Sequence, residues 1–268
     1  MKRLLIAGCG DLGVRLARRL KSSEWICHGL RRRPDQLPKP VQPIGADLLS
    51  PASLAALPTA WDAIIYQATP GKRAPDAYRR TYLEGLRNLL RRVRARQLIF
   101  VSSTAVYGQD DGEWVDESSA TNAKTFAGEI LLQAEALAQA HGGMAVRFSG
   151  IYGPGRDYLI RSLRAGQARC RAQPPQWTNR IHADDCAAVL EHLVQQPATQ
   201  AVYCASDNHP APRCEVLNWL AEQLGLPAPQ PDAEASGQGK RVSNARLTSS
   251  GFHFQYPDYQ TGYRTLLS

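Results

Sequence analysis

The stretch KRLLIAGCGDLG, from Lys2 to Gly13, decides the fold of this chain. Its apolar run, Leu4 to Ala7, is typical of a strand that is buried on both faces, as in a parallel sheet. The three glycines that follow have the spacing G-x-G-x-x-G, and the residues from Val14 to Leu20 have helical periodicity. The stretch therefore predicts a strand, a tight glycine turn and a helix at the start of an α/β fold.

Each of the three glycines has a physical role in such a turn. Gly8 permits the tight turn, Gly10 lets a pyrophosphate approach the backbone, and Gly13 lets the helix and the strand pack closely. The N–H groups and the dipole at the start of the helix favour a phosphate there. We predict a dinucleotide-binding loop formed by Gly8, Gly10, Asp11, Leu12 and Gly13. The alternative is a glycine turn with a purely structural role.

The second predicted strand, Trp25 to Leu30, is followed by three arginines. In NAD-specific sites an acidic residue about 20 residues beyond the glycines binds the ribose 2′-hydroxyl. This chain has Arg31, Arg32 and Arg33 in that place. Because a guanidinium suits a 2′-phosphate, the sequence favours NADP over NAD, with Arg31 or Arg32 as the phosphate ligand. Arg33 precedes Pro34 and is expected to turn away. The alternative is that the arginines begin a surface loop.

Further candidates follow other predicted strands, at the edge of the sheet where doubly wound folds bind ligands. Asp47 comes after the strand Val41 to Ala46, and its carboxylate either accepts from the adenine amino group or caps the helix that starts near Pro51. A long helix is predicted from about Pro75 to Arg96. The cofactor candidates at these strand ends are Asp47, Leu48, Ala68, Thr69 and Ser102.

Composition narrows the class of protein. The chain has 268 residues and a hydrophobic content of 43%, and none of its apolar runs approaches the ~20 residues of a membrane span. The N-terminus begins with a strand, so we expect no signal peptide and a cytoplasmic location. The net charge of +8 fits a solvated surface or the attraction of anionic ligands. Nucleic-acid binding is not expected, because aromatic residues are not interleaved with the basic segments.

The cysteines give no sign of a structural framework. All six are scattered along the chain, without a C-x-x-C pair. We therefore expect neither disulfides nor a zinc site, and no other metal site is expected. The thiols are predicted to be reduced packing residues.

Later stretches resemble a known family. The segment VSSTAVYG, from Val101 to Gly108, and the later Val115-Asp116-Glu117 are similar to the extended branch of the short-chain dehydrogenase/reductase superfamily. That branch includes NAD-dependent epimerases and dehydratases that act on nucleotide sugars. The segments 147–156, 179–185 and 240–251 resemble the same branch in the same order.

The resemblance implies a doubly wound parallel α/β sheet, or Rossmann fold, with a small C-terminal substrate lobe. It places an NAD(P)-binding domain over residues 1–150 and a substrate-binding lobe mostly over 151–268, with segments that return to the main domain. The substrate is expected in a cleft between the two. We expect a monomer or a homodimer.

The resemblance also implies a Ser, a Tyr and a Lys acting together on a carbonyl or carbinol. The tyrosine is the acid/base, the lysine lowers its pKa, and the serine binds the reacting oxygen. Ser103 matches the serine. The helix that should carry Tyr-x-x-x-Lys lacks both residues, and alignment on Glu135 places the missing pair near Ala127 and Leu131. Tyr107, Lys124 and Glu129 are the nearest substitutes, with Tyr107 kept as the catalytic candidate.

Substrate-side candidates are Tyr152, Arg180 and His182, which lie in the segments that resemble the family's substrate lobe. Arg180 either binds a phosphate or forms an ion pair with Asp184 or Asp185. His182 fits a packed, hydrogen-bonded histidine better than a catalyst.

Two functions remain open at this point. One is an NADP-dependent oxidoreductase or epimerase acting on a sugar-like or anionic carbonyl or hydroxyl compound. The other is a catalytically silent NADP-binding sensor or regulatory protein, which the absence of the Tyr/Lys pair favours.

Overall fold

The structure is a computed structural model that describes residues 1–196, 200–234 and 236–267. The chain divides into two compact units. Unit 1 comprises Met1–Val106, Ala123–Arg147 and Ala187–Tyr203. Unit 2 comprises Tyr107–Asn122, Phe148–Cys186 and Cys204–Ser268.

Strands and helices alternate through most of unit 1, and unit 2 combines short strands with helices that include the 12-residue α8. The strands are β1 Lys2–Ala7, β2 Trp25–Arg31, β3 Gln42–Gly45, β4 Ala60–Tyr66, β5 Arg94–Ser103, β6 Asp111–Val115, β7 Met144–Phe148, β8 Gly150–Tyr152, β9 Arg169–Cys170, β10 Trp177–Thr178, β11 Arg180–His182, β12 Val202–Ala205, β13 Ala211–Pro212, β14 Gln230–Pro231 and β15 Gly239–Val242. The helices are α1 Asp11–Arg19, α2 Pro51–Leu54, α3 Pro75–Tyr78, α4 Gly85–Arg92, α5 Phe126–Gln139, α6 Tyr158–Arg164, α7 Ala183–Gln195, α8 Arg213–Leu224, α9 Ala245–Ser249 and α10 Tyr259–Arg264.

The main sheet has seven strands in the order β12-β7-β5-β4-β1-β2-β3. The pairs that join β3, β2, β1, β4 and β5 are all parallel. The chain order reverses between β1 and β4, which is the switch point where doubly wound sheets bind ligands. Leu4, Leu5, Ile6 and Ala7 of β1 are fully buried. The predicted doubly wound fold is therefore confirmed.

The long helix predicted from Pro75 to Arg96 is interrupted and ends earlier. A π-helical turn, Arg79–Glu84, separates α3 from α4, and the residues from Arg94 onward belong to β5. The hydroxyl of Tyr66, at the end of β4, donates to the carbonyl of Thr81 inside that turn, at 2.5 Å. A side chain that inserts into the helical hydrogen-bond ladder is a recognised cause of such an irregularity, and periodicity alone does not reveal it.

Unit 2 contains small sheets, of which the largest has the order β13-β10-β15-β6. Its core includes Ile160, Leu217, Leu220 and Tyr259. Helix α6 begins at Tyr158, just after Asp157, which is its N-cap residue. The stretch 226–239, which is rich in Pro, Ala and Gly, contains the short strand β14, and its residue 235 lies outside the described residues.

The prediction that all cysteines are reduced is wrong for two of them. Cys170 of β9 and Cys214 of α8 form a disulfide, with their Cα atoms 5.2 Å apart. Their separation of 44 residues gives no local signal, because the pairing depends on how β9 and α8 meet in unit 2. The other four, Cys9, Cys27, Cys186 and Cys204, are buried and form no disulfide. Among the described helices, none is long and apolar enough to cross a membrane.

Candidate cofactor and substrate sites

The glycine loop after β1 has the geometry that a dinucleotide requires. Gly8 has a φ of +79°, and a Cβ there would lie 2.3 Å from Cα of Ala68. A Cβ on Gly13 would lie 2.5 Å from Nε2 of Gln67. A Cβ on Gly10 would have as its nearest neighbour a carbonyl oxygen 4.0 Å away, so the space above this residue is open. Gly8 and Gly13 are thus required by the fold, whereas Gly10 keeps room for a ligand.

The first turn of α1 adds backbone donors to this loop. Gly10 is the N-cap residue, and it supplies no side-chain cap for the turn's N–H groups. Uncapped N–H groups at a helix start favour an anion. Two of the predicted cofactor residues use their side chains for contacts within the protein. Asp11 forms an ion pair with Arg15 at 3.0 Å, and Leu12 is buried, so only their backbones are available to a cofactor.

A cavity of about 950 Å³ opens beside the glycine loop, entirely within unit 1. This volume lies at the upper end of the range for ligand cavities. Eight of the predicted cofactor residues line it, namely Gly8, Gly10, Arg31, Arg32, Asp47, Leu48, Ala68 and Thr69. We call this space the cofactor cavity.

Five cationic side chains line the cofactor cavity. Arg31, Arg32 and Arg33 all do so, which corrects the expectation that Arg33 turns away. The Arg31 guanidinium donates to Oε1 of Gln36 at 3.2 Å. Lys72 and Arg80 also line the cavity, and sequence reasoning missed both. The adjacent basic residues Lys72 and Arg73, which follow β4, could have identified Lys72 as a candidate. Arg80 lies in the π-helical turn, which the sequence did not predict.

Asp47 does not cap the next helix. Its Oδ1 accepts from the backbone N–H of Leu49 at 3.0 Å. The N-cap of α2 is Ser50, whose side chain accepts from the N–H of Ser53. The capping alternative is therefore wrong, and Asp47 remains a residue of the cofactor cavity.

Ser102 is part of a buried ion-pair network instead of the cofactor cavity. Its hydroxyl donates to Oε1 of Glu135 at 2.5 Å, and Glu135 pairs with Arg147 at 2.6 Å. Successive residues of a strand face opposite sides of the sheet, so Ser102 is buried while Ser103 is partly exposed. The prediction that the Ser102 side chain binds the cofactor is corrected accordingly.

The expected reaction centre lacks both of its proton-transfer groups. Ala127 and Leu131, near which the family's register predicts the tyrosine and the lysine, are buried in α5. Phe126 begins that helix and packs against Tyr78, with ring centroids 5.3 Å apart. Ser103 accepts from the N–H of Ala105 at 3.2 Å, which leaves its hydroxyl proton available as a donor. Lys124 and Glu129 are exposed.

Tyr107 has a structural role within unit 2. It is buried, its hydroxyl donates to the carbonyl of Asp116 at 2.7 Å, and it lies 3.1 Å from Sγ of Cys204. A phenol committed in this way cannot hand its proton to a substrate without breaking a buried hydrogen bond. This arrangement contradicts the catalytic assignment of Tyr107.

The substrate-side candidates lie in unit 2, where two of them line a second cavity. Tyr152 and Arg180 line a cavity of about 180 Å³. His182 is buried, its Nδ1 accepts from the N–H of Asp184 at 3.2 Å, and its ring lies 4.0 Å from that of Tyr256. These contacts describe a packed histidine.

The ion-pair alternative for Arg180 does not match the contacts that the structure shows. Its guanidinium donates to oxygens of Thr178, His209 and Ala211. The two carboxylate oxygens of Asp185 accept from the backbone N–H groups of Gln255 and Tyr256, each at 2.9 Å.

A doubly wound sheet with a glycine loop at its switch point defines a Rossmann-type nucleotide-binding protein. The sequence profile of the NAD dependent epimerase/dehydratase family matches residues 4–204. The chain therefore belongs to the NAD-dependent epimerase/dehydratase family, in the extended branch of the short-chain dehydrogenase/reductases.

Three similar proteins illustrate the family. A solved structure from Methylobacillus flagellatus, provisionally assigned as an NAD-dependent epimerase/dehydratase, is 41% identical and has a TM-score of 0.86 over 99% of this chain and 97% of that one. Protein YeeZ of Escherichia coli (strain K12) is 29% identical over 96% of this chain and 97% of its own length. A 3-diazoavenalumate denitrifying reductase of a Streptomyces species is 26% identical over 85% of this chain and 83% of its own.

Proposed function

We propose that the protein is an NADP-dependent oxidoreductase or epimerase that acts on a carbonyl or hydroxyl group of a sugar-like or anionic substrate. The observation that carries the proposal is the cofactor cavity, in which an intact glycine loop and the arginines at 31–33 line one space. The family assignment supports a nicotinamide cofactor, and one relative is named as a reductase.

The residues present fit a nicotinamide dinucleotide phosphate. Gly10 leaves open space for a pyrophosphate, and the N–H groups at the start of α1 favour its negative charge. Arg31 ends β2 and Arg32 follows it, the part of such folds where an arginine can accommodate a 2′-phosphate, and both line the cofactor cavity together with Asp47, whose carboxylate suits the adenine amino group. When bound, the cofactor would supply a hydride acceptor or donor. The chain itself contributes binding and orientation.

Ser103 is the proposed catalytic residue. Its free hydroxyl proton can stabilise the negative charge that develops on a substrate oxygen. The chain offers no tyrosine at position 127, and positioned acid/base groups contribute about 10²–10⁴-fold to a rate. We therefore expect slow turnover on ordinary alcohols and faster reduction of carbonyls that are already activated.

A catalytically silent NADP sensor is the second candidate function. The specific observation in its favour is that apolar Ala127 and Leu131 replace the proton-transfer pair and are packed into the core. The two candidates share the cofactor and differ in turnover.

The cofactor part is tested by calorimetric titration of ligand-free protein with NADPH and, separately, NADH. We expect tighter binding of NADPH, and an R31S/R32S variant is expected to lose at least about tenfold in NADPH affinity, the cost of removing a charge-assisted contact. Exposed Arg91 of α4 provides a matched control, since R91S removes a charge outside the cavity. Equal affinity for the two cofactors would overturn the NADP assignment, and no binding of either would overturn the proposal as a whole.

The catalytic part is tested with carbonyl substrates in the presence of NADPH. If a substrate is turned over, S103A is expected to lower kcat without changing NADPH affinity. Unchanged kcat would remove Ser103 from the mechanism. NADPH binding without turnover on any carbonyl or nucleotide-sugar compound would favour the sensor.

A further inference from the structure

Helix α5 offers no proton donor for the proposed carbonyl reduction. When a hydride adds to a carbonyl, the oxygen gains negative charge and needs a proton, which enzymes supply from a positioned acid. Ser103 can donate a hydrogen bond to that oxygen, but α5 contains neither a tyrosine nor a lysine. Efficient reduction therefore requires a donor from another element of unit 1.

The rings of Phe100, Tyr82, Tyr78 and Phe126 form a cluster that reaches from the main sheet to the start of α5, and we call it the aromatic cluster. Phe126 is the first residue of α5, and its ring centroid lies 5.3 Å from that of Tyr78 in α3. The Tyr78 ring lies 5.4 Å from that of Tyr82, and Tyr82 lies 6.1 Å from Phe100 of β5. Edge-on ring packing at these distances is favourable. The cluster thus holds two phenols beside the turn that carries Ala127.

Topology places the aromatic cluster at the ligand-binding edge of the main sheet. Helix α3 follows β4, α5 is the next α-helix after β5, and the two strands pair in parallel. Helices that follow parallel strands begin at the carboxyl edge of the sheet, where doubly wound folds bind ligands. Ala77 and Arg80, one residue before and two residues after Tyr78, line the cofactor cavity. Tyr78 is therefore a neighbour of that cavity.

The first turn of α5 also packs against the segment that follows Ser103. A Cβ on Gly128 would lie 2.5 Å from the carbonyl oxygen of Ala105, so the helix and this segment are in direct contact. The Ser103 hydroxyl in turn accepts from the N–H of Ala105 at 3.2 Å. Ser103 and Tyr78 therefore both lie next to the first turn of α5.

The Tyr78 hydroxyl is available for chemistry. It forms no hydrogen bond with any residue that the structure describes, and Tyr78 is only partly buried, so solvent can return a proton to it. The hydroxyls of Tyr66 and Tyr107, in contrast, donate to backbone carbonyls. Burial and the neighbouring Tyr78 raise the pKa of Tyr82 to about 12, which makes Tyr82 a poor proton donor.

We propose that Tyr78 is the proton donor of the reaction, a catalytic residue that α3 supplies in place of α5. This inference rests on the proposed function, because the hydride comes from the reduced nicotinamide, which is oxidised. The substrate's carbonyl carbon forms a new C–H bond, and the π electron pair of the carbonyl moves to its oxygen. That oxygen takes the proton of the Tyr78 hydroxyl, and the phenolate regains a proton from solvent. Ser103 donates a hydrogen bond to the same oxygen.

The first test locates Tyr78 relative to the cofactor and needs no substrate. The full chain is treated with tetranitromethane, which nitrates accessible tyrosines, and the modified peptides are identified by mass spectrometry. With NADP⁺ at about ten times its Kd, nitration of Tyr78 should slow about tenfold, because only about one molecule in ten is then free. Tyr158 is the control, since it is 65% exposed and belongs to unit 2, and its rate should not change. The fragment 2′,5′-ADP, which lacks the nicotinamide, should leave Tyr78 reactive.

The second test compares two conservative variants. Y78F and Y82F each remove one hydroxyl and keep a ring in the aromatic cluster, so both are expected to fold, which a thermal melt checks. On a carbonyl substrate, Y78F should lower kcat about a hundredfold, the lower end of what a positioned acid contributes. Y82F is the matched control and should leave kcat unchanged. NADPH affinity, measured by calorimetry, should equal that of the wild type in both variants.

The outcomes separate this inference from the proposed function. Absence of NADPH binding would overturn both. If NADPH binds but NADP⁺ does not slow the nitration of Tyr78, the cofactor assignment stands and the role of Tyr78 is overturned. Equal protection by 2′,5′-ADP would place Tyr78 away from the nicotinamide, with the same consequence. Unchanged kcat in Y78F, or an equal loss in Y82F, would exclude Tyr78 as the donor. Protection without turnover of any carbonyl would favour the sensor and overturn the catalytic role.

Discussion

The glycine loop after β1 and the start of α5, both in unit 1, differ in how well they match the residues that the family pattern calls for. At the glycine loop, each glycine has a distinct geometric reason to be there, and cations surround the adjoining cavity. At the start of α5, the residues that should transfer a proton are Ala127 and Leu131, which are buried and apolar. The glycine loop depends on backbone geometry, whereas proton transfer depends on two side chains. A chain can therefore bind the cofactor without carrying the tyrosine and lysine that transfer the proton. The predictions below test that separation of binding from proton transfer.

The largest expected effect concerns the buried ion pair of α5, the helix that carries Ala127 and Leu131. Glu135 forms a buried pair with Arg147, and both side chains are at most 6% exposed. E135Q should lower the free energy of unfolding by as much as about 5 kcal/mol, because it leaves a buried guanidinium without its carboxylate. Urea denaturation measures this.

Glu129 provides the control on the same helix, since it is exposed and E129Q should cost less than about 0.5 kcal/mol. NADPH affinity of folded E135Q should match that of the wild type. A similar loss of stability in both variants would contradict a specific role for the pair.

The next effect lies in unit 2 and depends on pH. Burial raises the pKa of Asp207 to about 7, against the opposing influence of Arg180. The native state then binds one more proton than the unfolded state between about pH 4 and pH 7, so stability falls as the pH rises through that window, by at most about 4 kcal/mol.

D207N should remove this fall while keeping an oxygen to accept from the N–H of His209, which now lies 3.2 Å from Oδ1. Melting temperatures of both proteins from pH 4.5 to 8 measure the difference. Parallel curves would show that Asp207 does not carry the shift.

A sharper test of the glycine loop separates folding from binding. A Cβ on Gly10 meets only open space, so G10A should leave the melting temperature unchanged. NADPH affinity should nevertheless fall at least about tenfold, because the methyl group occupies the approach of the pyrophosphate. Gly71 also borders the cofactor cavity, and a Cβ on it would have no neighbour within 4 Å, so G71A is the control and should bind normally. Normal NADPH binding by G10A would mean that the loop is structural.

The smallest expected effect concerns Tyr107. Y107F removes the hydrogen bond to the Asp116 carbonyl and should cost about 1 kcal/mol of stability. Any turnover by the protein should be retained. A variant that is stable but inactive would restore Tyr107 as a catalytic residue.

Local patterns in the sequence predicted the parts of the molecule that local physics controls. The strand–turn–helix of β1 and α1 follows from apolar run, glycine spacing and periodicity within about a dozen residues. Long-range features escaped prediction. The Cys170–Cys214 pair and the approach of Arg80 to the cofactor cavity both depend on tertiary packing. Ser102 and Ser103 were both assigned to the site, although strand alternation sends them to opposite faces.

A crystal structure of the protein with NADP⁺ bound would test the account most directly. We predict the pyrophosphate against the N–H groups at the start of α1 and the 2′-phosphate within hydrogen-bond distance of Arg31 or Arg32. We also predict Ser103 as the polar side chain of the family triad that faces the nicotinamide end, without a tyrosine or lysine from α5. A 2′-phosphate pointing away from both arginines, or a phenol or ammonium group supplied to the nicotinamide from α5, would contradict the separation of binding from chemistry.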